Sequence, residues 1–266
     1  MTVVAVFGPT ASGKSAVALA LADLIGGEIV SCDAMQLYRG LPILTNQPTA
    51  PELERVAHHL VAVWPLSHAG SVAEYAALAH AAIDEVAARG RVPVVVGGSG
   101  LYLRAALAAM ALPPRPRAGA RERQGALYDR VGARAAHDLL GRVDARAAAA
   151  VHPNDRRRVV RALELAAAGV SLAPARDTLW TGALRRPAVV VGLRADPAEV
   201  ARRIQLRTET MFAAGVEAEV ARATSVARLS HTAARIHGLQ DVSALLRGEI
   251  DRAEAVRRLV VRTRRY

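Results

Sequence analysis

The chain has 266 residues, of which 52% are hydrophobic and 22% are charged, and its formal net charge is +11. This composition allows a buried core and excludes intrinsic disorder, collagen and a disulfide-stapled miniprotein. The single cysteine, Cys32, cannot form an internal disulfide, and no apolar run approaches the ~20 residues of a membrane span. Since nothing at the N-terminus resembles a secretory leader, we expect a protein of the reducing cytoplasm that makes no membrane contact.

Strands and helices alternate along the first hundred residues. Apolar, β-rich runs predict strands at 2–7, 28–31 and 92–96, and Ala/Leu-rich runs predict helices at 15–24 and 72–88. The third strand is continuously apolar, which is typical of a strand buried on both faces. This alternation predicts an α/β fold with a parallel sheet flanked by helices.

The pattern changes at the segment PPRPR, residues 113–117, after which Arg/Ala-rich helical segments run to about residue 168. Strand character returns at 187–193, and Asp196 before Pro197 predicts a helix N-cap. Helices are then expected at 198–213, 216–227, 241–246 and 252–262. We therefore predict a first part of the sheet core at 1–111, an inserted all-helical subdomain at 112–184, and a second part of the core with C-terminal helices at 185–266.

The positive charge is concentrated in the middle of the chain. Residues 104–186 carry 16 basic and 7 acidic side chains, whereas residues 1–103 carry 5 and 8, and residues 187–266 carry 14 and 9. A basic segment favours a nucleic-acid partner, but a proteome that uses arginine freely would give the same pattern. Charge alone leaves both interpretations open.

Lysine usage separates one position from all others. Of the 35 basic residues, 34 are arginine and only Lys14 is lysine. Arginine replaces lysine harmlessly on a solvated face, but not where a compact charge must fit a tight phosphate site. The lone lysine therefore indicates a chemical role.

Lys14 lies in the segment GPTASGKS at 8–15, which satisfies G-x-x-x-x-G-K-[ST] between a predicted strand and a predicted helix. The motif predicts a sheet of the P-loop NTPase type that binds a di- or triphosphate. Backbone amides and Lys14 would face the phosphates, and Ser15 could ligate Mg²⁺. The predicted phosphate contacts are Gly8, Thr10, Ala11, Ser12, Gly13, Lys14 and Ser15.

Two further segments follow predicted strands. Strand 92–96 runs into Gly97-Gly98-Ser99, without the carboxylate that a hydrolysing P-loop enzyme usually places there. The glycines suit close backbone approach to a ligand with Ser99 aimed at it, and a plain strand-to-helix turn is the alternative. Asp33 follows strand 28–31 at the sheet edge where ligands bind, which makes it a candidate general base or metal ligand, or else a helix N-cap.

DAMQLY at 33–38, GPTASGKS at 8–15 and GGSGLY at 97–102 together resemble the tRNA dimethylallyltransferase family, which prenylates adenine 37 beside the anticodon. Other stretches agree in the same order: HHL at 58–60, HPND at 152–155, and Arg203-Ile204 followed by Arg207 and Met211. The resemblance covers nearly the whole chain. It departs from the family pattern at Ala34, at LTNQ (44–47) and at Leu239, where serine, GTAK and tyrosine are usual.

The resemblance implies that the P-loop holds the diphosphate of dimethylallyl diphosphate and that the tRNA base is flipped out to expose its N6 amine. Asp33 would act as general base, and Lys14, Mg²⁺ on Ser15 and Arg203 would stabilise the leaving diphosphate. Ser99 would take the place of the family's catalytic threonine. The products would be N6-isopentenyladenosine in tRNA and diphosphate.

The resemblance also implies that the inserted helices bind the anticodon stem-loop of tRNA. For any single arginine there, a solvated helix face is the alternative. The expected tRNA contacts are Asp33, Ala34, Met35, Gln36, Ser99, Arg121, Arg157, Arg158, Arg161, Arg235, Gly238 and Gln240. We expect a monomer, and we interpret His58 and His59 as structural because they lack metal-ligand spacing.

Three other functions are compatible with parts of the sequence. GPTASGKS alone would also fit an ATP-dependent kinase of a small metabolite, which the basic insert and GGSGLY disfavour. An adenylate isopentenyltransferase would use the same donor on a free nucleotide, and the large basic insert favours tRNA instead. A non-catalytic RNA binder is the third possibility.

Overall fold

A computed structural model describes residues 1–110, 119–173, 183–226 and 228–265. The chain divides into two compact units, which we call the sheet unit (Met1–Ala108 and Leu184–Tyr266) and the helical unit (Ala109–Ala183). The predicted boundaries lie at 111/112 and 184/185, within three residues of these divisions. The proline-rich break predicted at 113–117 lies outside the described residues.

The sheet unit is built on five parallel strands in the order β3-β2-β4-β1-β5, counted over the described residues. The strands are β1 Val3–Phe7, β2 Gly27–Ser31, β3 His58–His59, β4 Val92–Gly97 and β5 Ala188–Gly192. Val4 of β1 pairs with Val94 of β4, and Ile29 of β2 pairs with the same residue from the other side. Because parallel strands end at the same edge, the segments after β1, β2 and β4 meet there. The predicted parallel α/β sheet is confirmed.

Helices flank this sheet. Those of the sheet unit are α1 Lys14–Ile25, α2 Pro42–Thr45, α3 Ala50–Arg55, α4 Val72–Ala88, α5 Gly100–Leu107, α10 Pro197–Ala213, α11 Val216–Val226, α12 Leu239–Leu246 and α13 Arg252–Arg265. A 3-10 helix, Ala233–Arg235, precedes α12. The predicted N-cap at Asp196 is confirmed, since its Oδ1 accepts hydrogen bonds from the amides of Ala198 (2.9 Å) and Glu199 (3.2 Å).

The helical unit contains α6 Ala120–Val131, α7 Ala133–Val143, α8 Ala145–Ala150 and α9 Arg156–Ala166. Its core is formed by apolar side chains from all four helices, among them Tyr128, Leu140, Ala147 and Val159. The Tyr128 hydroxyl donates to the Pro153 carbonyl at 2.9 Å, so the one polar atom of this core aromatic is paired. The helical character predicted for this segment is confirmed in the described residues.

Several short elements were not predicted, namely α2, α3, α5 and β3. The strand predicted at 187–193 forms as β5, but it is an edge strand and its valines are exposed, Val189 by 55% and Val190 by 54%. A continuous apolar run indicates a strand but does not say whether it lies in the middle or at the edge of a sheet. Burial of β5 therefore does not follow from its sequence.

Candidate active site

The P-loop connects β1 to α1 and is shaped to receive an anion. Ala11 and Gly13 have φ of 63° and 89°, so successive backbone groups turn toward the inside of the loop. Gly13 is the N-cap of α1 and offers no side chain, and the first turn of α1 contains no acidic residue. The amides of this turn therefore lack a side-chain cap, which is the arrangement that binds phosphate at a helix N-terminus.

Lys14 is half-buried at the base of this loop. Its Nζ donates to the Pro9 carbonyl at 3.2 Å, which holds the side chain across the loop. Burial lowers the pKa of Lys14, and nearby Arg207 lowers it further, whereas Asp33 raises it. A bound anion would restore the interactions that Lys14 loses on leaving water.

Asp33 lies in a turn directly after β2. Its Oδ1 accepts a hydrogen bond from the Met35 amide at 2.9 Å, and its own amide donates to Ser31 Oγ at 3.4 Å. Residues 34–37 form turns, so the carboxylate caps a turn and the alternative of a helix N-cap is wrong. This fixed carboxylate lines the same cavity as Lys14.

The cavity lies at the carboxyl edge of the sheet, opens to solvent and has a volume of about 100 Å³. Its polar lining includes Thr10, Lys14, Ser15, Asp33 and Arg207, and its apolar lining includes Met35, Leu44, Val96, Ile204, Met211 and Leu259. Gln36, Thr45, Asn46, Gly97, Thr208, His237 and Thr263 complete the lining. A cavity lined by both cations and apolar side chains suits a ligand that combines a phosphate with a hydrocarbon.

Neighbouring protein atoms leave little room for a side chain at Gly97, the last residue of β4, and at Gly98. A Cβ on Gly97 would lie 2.7 Å from the Cys32 carbonyl oxygen, and a Cβ on Gly98 would lie 3.0 Å from the Gly8 carbonyl oxygen. The glycines thus let β4 pack against the segment after β2 and against the P-loop, and Gly97 also lines the cavity, so the predicted close approach to a ligand stays a prediction. Ser99 is the N-cap of α5 without a side-chain capping bond, and it is not among the residues that line the cavity.

Two arginines of α10 approach the P-loop. Arg203 donates from Nη1 to the Ala11 carbonyl at 3.4 Å, and Glu199 holds its Nε at 2.6 Å. Arg207, one turn further along α10, is half-buried in the cavity, where burial lowers its pKa and Asp33 opposes this shift. Arg203 was predicted, but no role was predicted for Arg207. Its signals were its one-turn spacing from Arg203 and its place in a stretch that resembles the family.

Some of the residues that follow Asp33 line the cavity and others do not. Met35 and Gln36 line the cavity, and Ala34 does not. The side chain of Gln36 is occupied internally, since Nε2 donates to the Asn46 carbonyl at 2.6 Å and Oε1 accepts from Ser31 Oγ at 2.9 Å. This residue therefore connects two segments of the cavity wall.

The predicted tRNA contacts near α12 lie outside the cavity lining. Arg235 and Gln240 are exposed. Gly238 is the N-cap of α12 with φ of 85°, and a Cβ there would lie 3.1 Å from both Leu44 and Leu259 side chains. His237 lies between Arg235 and Gly238 in the sequence and lines the cavity. Its Nε2 forms a hydrogen bond with Thr263 Oγ1 at 2.8 Å. No role was predicted for His237, although Arg235 and Gly238 on either side of it are two of the predicted tRNA contacts.

Arginines of the helical unit fall into two groups. Arg121 and Arg161 pair with the same carboxylate, that of Glu164, at 3.5 and 2.9 Å, and the Glu164 side chain is fully buried. Arg157 and Arg158 are exposed, and Arg158 makes a 3.5 Å pair with Asp155. The first two therefore have a structural partner, and the last two present their charge to solvent.

The two histidines interpreted as structural form β3. His59 Nε2 contacts Glu28 Oε2 at 2.7 Å, and Glu28 also pairs with Arg89 at 2.6 Å. Over the described part of the chain, no group of three or more His, Cys, Asp or Glu side chains could hold a metal ion. In the same part, no helix is both long enough and apolar enough to cross a membrane.

Comparison with known proteins gives a consistent result. Residues 36–266 match the model of the IPP transferase family. The tRNA dimethylallyltransferase of Salinispora tropica is 44% identical over 271 residues, covering 100% of this chain and 82% of the relative. That of Anaeromyxobacter dehalogenans is 44% identical over 267 residues, covering 100% and 89%.

Solved structures show the same likeness. The full-length tRNA isopentenylpyrophosphate transferase of Bacillus halodurans superposes with a TM-score of 0.70 at 34% identity, covering 100% of this chain and 84% of the other. A eukaryotic dimethylallyltransferase acting on tRNA gives a TM-score of 0.75 at 22% identity, covering 100% and 67%, which shows a shared fold.

Proposed function

The chain belongs to the IPP transferase family, and from this premise we infer that it transfers a dimethylallyl group from dimethylallyl diphosphate to tRNA. The acceptor atom in this proposal is N6 of adenine 37. The products are N6-isopentenyladenosine in tRNA and free diphosphate. The alternatives of a metabolite kinase, an adenylate isopentenyltransferase and a non-catalytic RNA binder become outcomes of the tests below.

One observation carries the proposal, namely that a single cavity is lined both by phosphate-binding groups and by apolar side chains. Lys14 and the P-loop amides form the first, and buried side chains such as Leu44, Ile204 and Leu259 form the second. A dimethylallyl group is a branched hydrocarbon, so its burial against these side chains is favourable. The ribose of a nucleotide would instead leave hydroxyl groups facing apolar atoms, which is costly without partners.

Asp33 is the proposed general base. An exocyclic adenine amine is a poor nucleophile, so its proton must leave as the bond to C1 of the prenyl group forms. In this step the N6–C1 bond forms, the C1–O bond to diphosphate breaks, and the N6 proton passes to the Asp33 carboxylate. The Met35 amide at Oδ1 fixes the orientation of that carboxylate, which is the requirement for proton transfer at a defined distance.

The departing diphosphate gains negative charge, and we assign its stabilisation to the cations of the cavity. Lys14 and Arg207 line the cavity, and Arg203 lies at the P-loop beside Ala11. Preorganised donors of this kind are usually the largest contribution to catalysis. The two cations with lowered pKa values, Lys14 and Arg207, have the most to gain from an anion.

Mg²⁺ is part of the proposal as a partner of the diphosphate. Ser15 carries a hydroxyl at the N-terminus of α1 and lines the cavity together with Asp33. This donor set fits Mg²⁺, which commonly binds through one or two protein oxygens, substrate phosphates and water. When bound, the ion would neutralise charge on the diphosphate.

The proposed macromolecular partner is the anticodon stem-loop, bound by a monomer in the cytoplasm. Support comes from the basic segment 104–186 and from the exposed side chains of Arg157 and Arg158 on α9. Phosphate contacts by such arginines set affinity and register without reading the base sequence. Ser99, Arg235, Gly238 and Gln240 remain predicted contacts.

The direct test incubates the purified protein with unmodified tRNA and radiolabelled dimethylallyl diphosphate. We expect label in tRNA, located on adenine 37 by mass spectrometry of nuclease fragments. A parallel reaction with AMP as competitor distinguishes the adenylate acceptor, since AMP should not reduce transfer to tRNA. The Lys14→Ala variant is the control for background transfer.

The kinase alternative is tested in the same preparation. Consumption of ATP with a small acceptor, or a crystal soaked with both compounds that contains ATP in the P-loop and excludes the allylic diphosphate, would overturn the proposal. Binding of the stem-loop by the protein without any prenyl transfer would instead favour the non-catalytic RNA binder.

A further inference from the structure

Glu219 is a buried carboxylate that the proposed reaction does not use. It lies in the first turn of α11 and is only 2% exposed. Its Oε1 accepts a hydrogen bond from the Ile43 amide at 2.7 Å, and its Oε2 accepts one from the Leu44 amide at 2.8 Å. Burying an ionisable group is costly, so a carboxylate retained at this position is expected to have a specific task.

The two amides are those that the single-turn helix α2 cannot satisfy by itself. Its N-cap, Leu41, has no side-chain acceptor, and its first residue, Pro42, has no amide hydrogen. The next two donors are the amides of Ile43 and Leu44, and both are bound by Glu219. A residue 175 positions away in the sequence therefore supplies the cap of α2.

The turn held in this way is part of the cavity wall. Leu44, Thr45 and Asn46 all line the cavity. Leu44 is buried, and a single turn of helix has too few internal hydrogen bonds to keep its conformation without outside contacts. The position of this wall therefore depends on the carboxylate that caps it.

The same turn is connected to the loop that carries Asp33. The Asn46 carbonyl accepts from Gln36 Nε2 at 2.6 Å, and Gln36 Oε1 accepts from Ser31 Oγ at 2.9 Å. Gln47 adds a second connection, since its Nε2 donates to the Tyr38 carbonyl at 2.7 Å. Asp33 lies between Ser31 and Gln36, so its loop is tied through Gln36 and Tyr38 to the segment that Glu219 holds.

We propose that Glu219 is a positioning residue for prenyl transfer, which fixes α2 as one wall of the cavity and, through Asn46 and Gln36, fixes the loop of Asp33. The kinetic part of this inference rests on the proposed function. Glu219 itself makes no contact with the reacting atoms. Its effect reaches them through the placement of the general base and of the apolar wall.

The test is the variant Glu219→Gln, which keeps the shape but replaces one acceptor oxygen with a donor that faces a backbone amide. Hydrogen exchange of the peptide 36–47 should accelerate about tenfold or more, with the change confined to this segment. The kcat should fall by about tenfold, because displacement of a reacting group by about 1 Å has effects of this order or larger. The KM for dimethylallyl diphosphate should change less than the kcat, because the phosphate contacts of the P-loop are untouched and only the apolar wall shifts.

Glu217→Gln is the matched control. Glu217 lies two residues earlier on the same helix and, among the described residues, forms a long 3.8 Å ion pair with Arg252. This variant should change neither the kcat nor the exchange of peptide 36–47. If Glu219→Gln does not fold, Glu219→Asp allows the same comparison, because it keeps the charge and shortens the side chain by one methylene.

The inference is overturned if the folded Glu219 variant has the kcat of the control, or if faster exchange spreads over the whole sheet unit, which would indicate a general loss of stability. Failure of the proposed function is a separate outcome, in which the wild-type protein transfers no prenyl group. The exchange measurement would then still decide whether Glu219 holds α2.

Discussion

The cations of the cavity and the arginines of the helical unit have opposite electrostatic surroundings. Lys14 and Arg207 lose hydration, and in the described residues neither forms an ion pair with a carboxylate, so burial lowers the pKa of both. In the helical unit, Arg161 lies 2.9 Å from the buried carboxylate of Glu164, and Arg156 forms an ion pair with Asp129, which raises the pKa of Arg156. In the described residues, the cations of the cavity therefore lack a carboxylate partner. Several arginines of the helical unit instead pair with carboxylates of the same unit.

This difference shows that a count of positive charge is a poor guide to where anions bind. The helical segment carries most of the excess charge, but several of its arginines stabilise the unit itself. The cavity of the sheet unit has fewer cations than the helical segment. Two of them, Lys14 and Arg207, are partly desolvated and are not paired with a carboxylate in the part of the chain that the structure describes. Amino-acid replacements in the two units test this difference in ion pairing.

The largest effect is expected for Asp33→Asn. The variant keeps the turn but removes the proton acceptor, so turnover should fall by about 10²-fold or more, while tRNA affinity stays close to that of the wild type. Single-turnover kinetics with labelled donor would measure the first quantity and filter binding the second. Unchanged turnover would remove Asp33 from the role of general base.

Lys14→Arg keeps the charge and should still lose about 10²-fold in turnover, because a planar guanidinium does not fit the loop in which Nζ lies 3.2 Å from the Pro9 carbonyl. Arg202→Lys is the matched control, since Arg202 is exposed on α10 and pairs with Glu199. That exchange should leave turnover within about twofold. A fully active Lys14→Arg enzyme would contradict the argument from the lone lysine.

Arg207→Gln should lower kcat/KM for dimethylallyl diphosphate by about tenfold, since it removes a buried donor from the anion site. Arg203→Gln should have a smaller effect, because Arg203 is exposed and Glu199 already binds its Nε. Steady-state kinetics over a range of donor concentrations would rank the two. The reverse order would mean that the exposed arginine makes the closer phosphate contact.

The two groups of helical arginines should separate in their response to salt. Replacing Arg157 and Arg158 with alanine should weaken tRNA binding and reduce the slope of log K against log salt by about one per contact. Arg161→Ala should instead lower the melting temperature, because it leaves the Glu164 carboxylate buried with one partner fewer. Equal salt slopes for all three variants would show that the internal pair does not prevent a phosphate contact.

The smallest effect concerns pH. Burial lowers the pKa of His58, His80 and His237, so the unfolded chain takes up protons at these positions before the folded chain does. Their contribution to stability is present above the unfolded pKa of about 6.5 and is lost as the pH falls through the folded values. Urea titrations between about pH 7.5 and 5.5 should show this decline.

His58→Asn tests the assignment, because asparagine can replace the ring nitrogen that contacts the Val56 carbonyl at 2.7 Å and does not titrate. The decline in the free energy of unfolding should become shallower in this variant.

The main helices and strands could be predicted because their signals are local. A β-rich run gives β4, Ala/Leu periodicity gives α4, and Asp196 before Pro197 begins α10. α2 could not be predicted, because its cap is Glu219, 175 residues further on. β3 has only two residues, and its side-chain partner, Glu28, lies on another strand.

Some residues of the candidate site could also be predicted from local sequence, and others could not. The P-loop and Asp33 follow directly from motif and strand order. Arg207 lies in a stretch that resembles the family, and His237 lies beside predicted tRNA contacts. The sequence does not show that either residue lines the cavity, because that depends on how α10, α12 and α13 pack. Protein atoms approach Gly97 and Gly98 closely, which the sequence could not show, and the approach of a ligand to these glycines stays a prediction.

The single lysine also provides a site for selective chemical labelling. The protein contains a single ε-amine, and its lowered pKa leaves a larger unprotonated, nucleophilic fraction near neutral pH than an ordinary lysine has. An acylating reagent that spares α-amines would therefore modify the P-loop alone, and bound diphosphate would shield it. Stoichiometric labelling of this kind would count competent molecules in any preparation without a turnover assay.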